Sequence, residues 1–191
     1  YTSNGIDKKI FNYKKIKRKK QLIAVGNLRW QKNYLKMIEA FNIFFKTNKD
    51  YKLIIIGDGE DKQKIKQTIQ KLNLEKQITL AGYKSQKKIS YMLNESEVFL
   101  MSSLSEGMPK SLMEALACGT PVVTSDVGDC RFISKGCGII VKNYLDKKTF
   151  AKAIKSMIGD KKKYKKYKLN CLNNSKNFSW KTYCDKVFKY Y

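Results

Sequence analysis

VFLMSSLSEGMPKSLMEALACGTPVVTSD, residues 98–126, contains a strand, a loop, a helix and a second strand in succession. VFLMSS (98–103) and PVVTSD (121–126) are apolar runs of strand length. Between them Gly107 and Pro109 punctuate the turn into a helix over 109–118, which Ser111 can help cap. Leu112, Ala115 and Leu116 give that helix a core-facing stripe, Gly119 ends it, and Pro121 opens the next strand. Two such runs joined by one amphipathic helix make a βαβ unit with parallel strands.

The same alternation extends in both directions. QLIAVGNL (21–28) reads as a strand and its exit loop, followed by a helix with Leu35, Ile38, Phe41 and Phe45 on one side. YKLIIIGDG (51–59) is a continuous apolar run ending in glycines, as a central parallel strand covered on both faces requires. A helix over 60–73, a strand ITLAGY (78–83), a helix near 86–94 and a strand GIIVK (138–142) complete the core pattern. Lysine-rich helical stretches run from Asp146 to the end. The fold expected is α/β, a doubly wound Rossmann-like open parallel sheet of about six strands. Residues 1–20 are expected as a linker or edge segment, and 21–177 as the domain proper.

Composition narrows the chemistry. The chain has no histidine, so no histidine base can come from it and the common zinc ligand sets are disfavoured. Its five cysteines are odd in number and show no CxxC spacing, which fits a reducing cytoplasm. No apolar run reaches membrane-spanning length. The formal charge of +24 suggests nucleic acid or an anionic membrane surface, yet Arg18, Arg29 and Arg131 are the only arginines. Sequence-reading nucleic-acid binders lean on arginine forks, so the lysine excess reads first as the mark of an A+T-rich genome and otherwise as a field attracting a phosphorylated donor or an anionic bilayer. KKKYKKYK (161–168) reads as a solvated helix face, with a membrane or partner surface as the alternative.

Ligands of such sheets bind at the carboxyl ends of the strands. That singles out GNLRWQK, GDGED, GYKS, SSLSEGMPKS and SDVGDC. The helix following Glu106 presents free backbone N–H groups and a positive dipole end, an anion site suited to a diphosphate. Glu106 and Glu114 could each grip a vicinal diol, one on a hexose and one on a ribose. On residue chemistry alone this is balanced by a plainer reading, in which Glu106 serves its own helix N-terminus and Glu114 lies on the surface. Asp126 and Asp129 in SDVGDC are read as turn residues rather than a metal site.

The Glu106-x7-Glu114 spacing within EGMPKSLMEALACGTPVV resembles the signature of glycosyltransferase family 4, of GT-B architecture. SNGID (3–7) resembles the linker phrase into the C-terminal domain of these enzymes, and AVGNLRWQKN (24–33) their first strand and phosphate loop. FSWKTYCDKVFKYY (178–191) resembles their closing crossover helix. The resemblance implies a retaining transfer of a hexose-type sugar from a nucleoside diphosphate, without a bound metal or other cofactor. UDP-sugar ranks slightly ahead of GDP-sugar. Lys32 would contact the diphosphate, and Glu106 with Gly107, Met108, Pro109, Lys110 and Ser111 would hold the sugar and distal phosphate. Glu114 would bind the ribose, Gly82 and Tyr83 would border the base, and Gly57 and Gly59 would let backbone approach the nucleotide. The family's arginine after the first-strand glycine is Asn27 here, and Arg29 either replaces it or points to solvent.

The chain would then be the donor-binding half of a bacterial enzyme of surface-polysaccharide or lipid-linked glycan synthesis. Its acceptor, a glycan or lipid-linked molecule, would be bound mainly by a missing N-terminal domain, leaving the isolated half inactive. It would be cytoplasmic, with peripheral contact at the inner membrane face as a further option. Two other readings stand beside this one. A basic nucleic-acid-binding α/β domain does not account for two glutamates at a helix start. The second is a non-catalytic nucleotide-sugar module.

Overall fold

Six short strands pair in parallel into one sheet ordered β3-β2-β1-β4-β5-β6. A computed structural model describes residues 5–187. The strands are β1 (Lys19–Val25), β2 (Lys52–Ile56), β3 (Ile78–Gly82), β4 (Ser96–Met101), β5 (Val122–Ser125) and β6 (Gly138–Val141). The helices are α1 (Tyr34–Phe45), α2 (Lys62–Lys71), α3 (Gln86–Glu95), α4 (Lys110–Ala117) and α5 (Cys130–Ile133). They continue with α6 (Lys147–Gly159), α7 (Lys161–Asn174) and α8 (Trp180–Val187). The doubly wound parallel sheet expected from the sequence is the one observed. Residues 3 and 4 of SNGID, and 188–191 of the expected closing helix, lie outside the described residues.

The period-two alternation of each strand sends its side chains to two separate cores. Leu22, Ala24, Leu53, Ile55, Val98 and Leu100 pack with α1, α2 and α6. Ile23, Ile56, Phe99, Met101 and Val122 pack with α3, α4 and the buried Cys171 of α7. The β1–β4 register sets Leu22 opposite Val98 and Ile23 opposite Phe99, so both cores run unbroken across the middle of the sheet.

The expected linker is anchored to the body. Ile6 and Phe11 are buried, and the Ile6 amide donates to the Phe178 carbonyl at 2.8 Å. Arg18 spends its guanidinium on the end of α4 and the entry to β5. It donates to the carbonyls of Ser96, Cys118 (3.1 Å) and Gly119 (2.9 Å) and to Thr120 Oγ1 (3.0 Å). Gly119 closes α4 in the left-handed region at φ +65°, with its amide on the Leu116 carbonyl.

α7 lies against the amino ends of the strands. Tyr164 donates to the Glu97 carbonyl at the start of β4 (2.9 Å), and Asn170 to the Gly136 carbonyl just before β6 (2.7 Å). Cys118, Cys130, Cys137 and Cys171 are buried free thiols, whereas Cys184 is exposed.

Among the described residues no other cationic side chain donates to the carbonyls that Arg18 satisfies. Arg18→Ala is therefore expected to lower unfolding stability by roughly 2–4 kcal/mol in urea titration. Arg18→Lys should recover little of this, because an ammonium cannot reproduce the planar fork.

Candidate functional site

The sheet reverses its winding between β1 and β4, so the loops leaving these neighbours run to opposite faces and open a crevice at their carboxyl ends. The loop after β1 is tied to the loop after β2. Gly26 N donates to the Ile56 carbonyl at 3.0 Å and Leu28 N to the Asp58 carbonyl at 2.9 Å. A 3₁₀ turn, Trp30–Lys32, follows and hands over to α1 through Asn33 at φ +52°. Asparagine tolerates that left-handed corner better than most residues.

The loop after β4 is stitched to this turn. Leu104 N donates to the Gln31 carbonyl at 2.7 Å, and Ser102 Oγ reaches the Lys32 and Asn33 carbonyls, each at 3.0 Å. Across the seam Lys32 Nζ meets Glu106 Oε1 at 2.6 Å, and Ser103 Oγ donates to the same oxygen at 2.6 Å. The Glu106 side chain is 9% exposed and that of Lys32 26%. The sequence places these residues 74 positions apart; the β1–β4 pairing brings them into contact.

A third loop, after β5, braces the second. Ser125 Oγ donates to the Ser103 carbonyl at 2.7 Å and Asp129 N to the Gly107 carbonyl at 3.1 Å. Gly128 adopts φ +48°, and a Cβ there would lie 1.9 Å from the Glu106 carbonyl oxygen. Only glycine lets the two loops approach so closely.

α4 begins at Lys110 with Pro109 in the N-cap position and no side-chain cap. Ser111, expected to help cap, sits inside the helix instead, because proline already sets the extended entry. The leading amides of α4 thus have no capping side chain. Lys110 Nζ lies 5.8 Å from the Trp180 ring centroid, so its side chain leans toward α8 while its backbone stays at the rim. Gly107 faces open space.

Glu114 is half-buried on α4, and its carboxylate has no hydrogen bond or ion pair among the described residues. Burial pushes its pKa up to about 7, with Lys110 opposing the shift. A carboxylate held in this state is costly unless a ligand supplies donors.

The remaining expected residues divide. Tyr83 is 82% exposed, and Gly82 beside it turns at φ +66° with nothing nearby. Asn27 and Arg29 are exposed, and Arg29 makes no ion pair among the described residues. Gly57 and Gly59 have a structural requirement of their own, since a Cβ would meet the Gly26 carbonyl oxygen at 2.0 Å and that of Leu28 at 2.6 Å. The approach they permit is that of one protein loop to another. Asp126 pairs with Arg131. Among the described residues no three His, Cys, Asp or Glu side chains cluster as a metal site would need.

Sequence reasoning missed Ser102, Ser103, Ser125 and Gly128. Ser103, three residues before Glu106, carried the one usable signal. A surface depression of about 590 Å³, lined by Glu60, Lys66, Ile69 and Leu80, lies on the outer sheet edge away from this chemistry.

Comparison with known proteins decides the family. The model of "Glycosyl transferases group 1" matches residues 5–173. The chain belongs to the group 1 glycosyltransferases. A UDP-Gal:alpha-D-GlcNAc-diphosphoundecaprenol alpha-1,3-galactosyltransferase of Escherichia coli is 35% identical over 125 residues, 64% of this chain and 30% of that protein. An N-acetylgalactosamine-N,N'-diacetylbacillosaminyl-diphospho-undecaprenol 4-alpha-N-acetylgalactosaminyltransferase of Campylobacter jejuni is 31% identical over 167 residues. That match covers 83% of this chain and 43% of that protein. The C-terminal domain of a group 1 family protein (LpcC) from Francisella tularensis superposes at TM-score 0.79 and 21% identity, covering 91% of this chain and 97% of that one. Anabaena HepE, solved with UDP and glucose, superposes at TM-score 0.85 and 18% identity, covering 98% of this chain and 55% of that one. These structures share the GT-B C-terminal fold. The glycosyltransferase chain spans between 25% and 45% of the length of curated relatives it matches.

Because the folded pKa of Glu114 lies above that of an unfolded glutamate, ionising it costs the folded state stability as pH rises from about 4.5 to 7. Glu114→Gln in this glycosyltransferase domain should therefore stabilise it at pH 8 by on the order of 2–3 kcal/mol. The gain should vanish near pH 5, as read from denaturant titrations at both values.

Proposed function

We propose that this domain binds the nucleoside diphosphate of an activated sugar across the β1–β4 crevice, for a retaining glycosyl transfer of the family 4 kind. The observation that carries the reading is the Lys32–Glu106 pair at the switch point, close to an uncapped helix start that leads to an unpartnered Glu114. Lys32 keeps two further N–H donors for a diphosphate, and the leading α4 amides supply more. Glu106, held by Lys32 and Ser103, offers its second oxygen to sugar hydroxyls. Glu114 accepts from the ribose diol.

As the leaving diphosphate gains charge, Lys32 and the helix start stabilise it by position alone. Arg29, exposed on the same loop, is the second cation we assign to the phosphates in place of the residue at Asn27. UDP is the preferred nucleotide, in keeping with relatives and fold neighbours whose names and titles mention UDP or UDP-Gal. A polysaccharide or lipid-linked acceptor suits the relatives' names, and the cytoplasmic face of a membrane suits such an acceptor. No described helix is long and apolar enough to cross a membrane.

Thermal-shift titration with UDP, GDP and ADP tests the proposal. UDP should give the largest shift, in EDTA as well as without it. Glu114→Ala should abolish the shift, whereas an unchanged shift would remove the ribose assignment. Lys32→Ala should weaken UDP roughly ten- to a hundredfold while leaving uridine nearly unaffected. The chain alone should bind nucleotide without transferring sugar, and a clear transfer rate would count against this division of labour.

A further inference from the structure

Two lysine-lined grooves border α6, one along its side and one at its C-terminal end. The first, about 480 Å³ between α1 and α6, has Lys46, Lys148, Lys152 and Lys155 around Ile43 and Phe44. The second, about 470 Å³ where α7 meets the amino ends of the sheet, has Lys20, Lys161, Lys165 and Lys168 around Ile158 and Tyr164. Lys148, Lys152 and Lys155 follow i, i+4, i+7 spacing, and so do Lys161, Lys165 and Lys168, so each trio forms a stripe on one helix side. The lysines thus form one stripe on each of two consecutive helices that touch, together a basic band.

Nearby acids do not neutralise this band. Asp146 and Asp160 cap α6 and α7, Asp146 offsetting Lys148 in part; Glu97 accepts from Tyr51 Oη at 2.6 Å, and among the described residues Asp50 pairs with Lys20. Lys46, Lys148, Lys152, Lys155, Lys161 and Lys165 have no ion-pair partner among the described residues. Like charges one helical turn apart destabilise a helix by a few tenths of a kcal/mol per pair, a cost that an anionic partner reverses.

The floor of the band identifies the partner. A polynucleotide would want exposed rings and arginine forks. The band has no arginine, Tyr164 is half-buried with its hydroxyl on the Glu97 carbonyl, and the exposed ring of Tyr13 is covered by the Lys168 ammonium at 4.7 Å. A lipid surface instead wants dispersed ammonium groups over shallow apolar ground, and Leu169, 60% exposed beside Lys168, adds to that ground. We infer that the α6–α7 lysine band docks this protein on the surface of an anionic phospholipid bilayer. The inference uses no residue of the donor crevice, so either reading can fail without the other.

Co-sedimentation of the chain with vesicles tests it. Vesicles of phosphatidylcholine with 30 mol% phosphatidylglycerol are compared with phosphatidylcholine alone, at low and at physiological salt. The protein should bind only the anionic vesicles, and less as salt rises. The quadruple variant K152E/K155E/K161E/K165E should lose at least about tenfold in affinity, given the usual contribution of each lysine near such a surface. K64E/K66E/K71E/K87E, with the same change in charge on α2 and α3, should stay within about twofold of the parent. Circular dichroism melts confirm that each variant is folded. Equal loss in both variants would overturn the inference, since net charge alone would then explain binding. So would failure to distinguish the two vesicle types, or tighter binding to poly(dT) than to anionic vesicles.

Discussion

The parallel pairing of β1 with β4 is the constraint on which the rest depends. Two windings of opposite sense start from these neighbours, one through α1 to β2 and β3, the other through α4 to β5 and β6. Their exit loops therefore diverge, and backbone polar groups that would otherwise pair with a neighbour face a cleft. The loops nevertheless hold one geometry, because Ser102, Gln31 and Leu104 bond across the seam and Gly128 lets a third loop brace the second. Lys32 and Glu106 meet because the sheet order puts them there.

The two glutamates of the motif occupy contrasting electrostatic settings. Glu106 is nearly buried yet has an ammonium and a hydroxyl on one oxygen, so its desolvation is offset within the protein. Glu114 is half-buried with only the charge of Lys110 set against its burial, and its pKa is pushed up to about 7. Glutamine would fit the same space without the charge, so the ionised carboxylate adds nothing to the stability of the fold. Charge left uncompensated in a crevice is a common mark of a ligand position.

Much of this arrangement was legible in the sequence. Strand-sized apolar runs alternating with 3.6-period helices gave the sheet, and the loops following them gave the rim. The SEGMPKSLMEAL phrase marked Glu106, Glu114 and the helix start. What stayed hidden was long-range pairing: nothing in AVGNLRWQKN shows that its lysine touches Glu106. Gly57 and Gly59 look like ligand glycines in sequence but are required by the neighbouring protein loop. Nor does the opening segment betray that Arg18 fastens the end of α4, since a guanidinium reaching carbonyls a hundred residues on leaves no local pattern.

The charge of +24 cannot be assigned as a whole to attraction of a phosphorylated donor. The α7 lysines lie against the amino ends of the strands, whereas the crevice opens at their carboxyl ends. A strand of five residues spans about 17 Å. The screening length at physiological salt is about 8 Å, so those lysines are too far away to hold a diphosphate in the crevice. In the proposed reading, attraction of the donor rests on Lys32 and the helix start, with Arg29 as the second cation. The lysines of α7, with the matching stripe on α6, belong to the separate surface that we assign to an anionic bilayer.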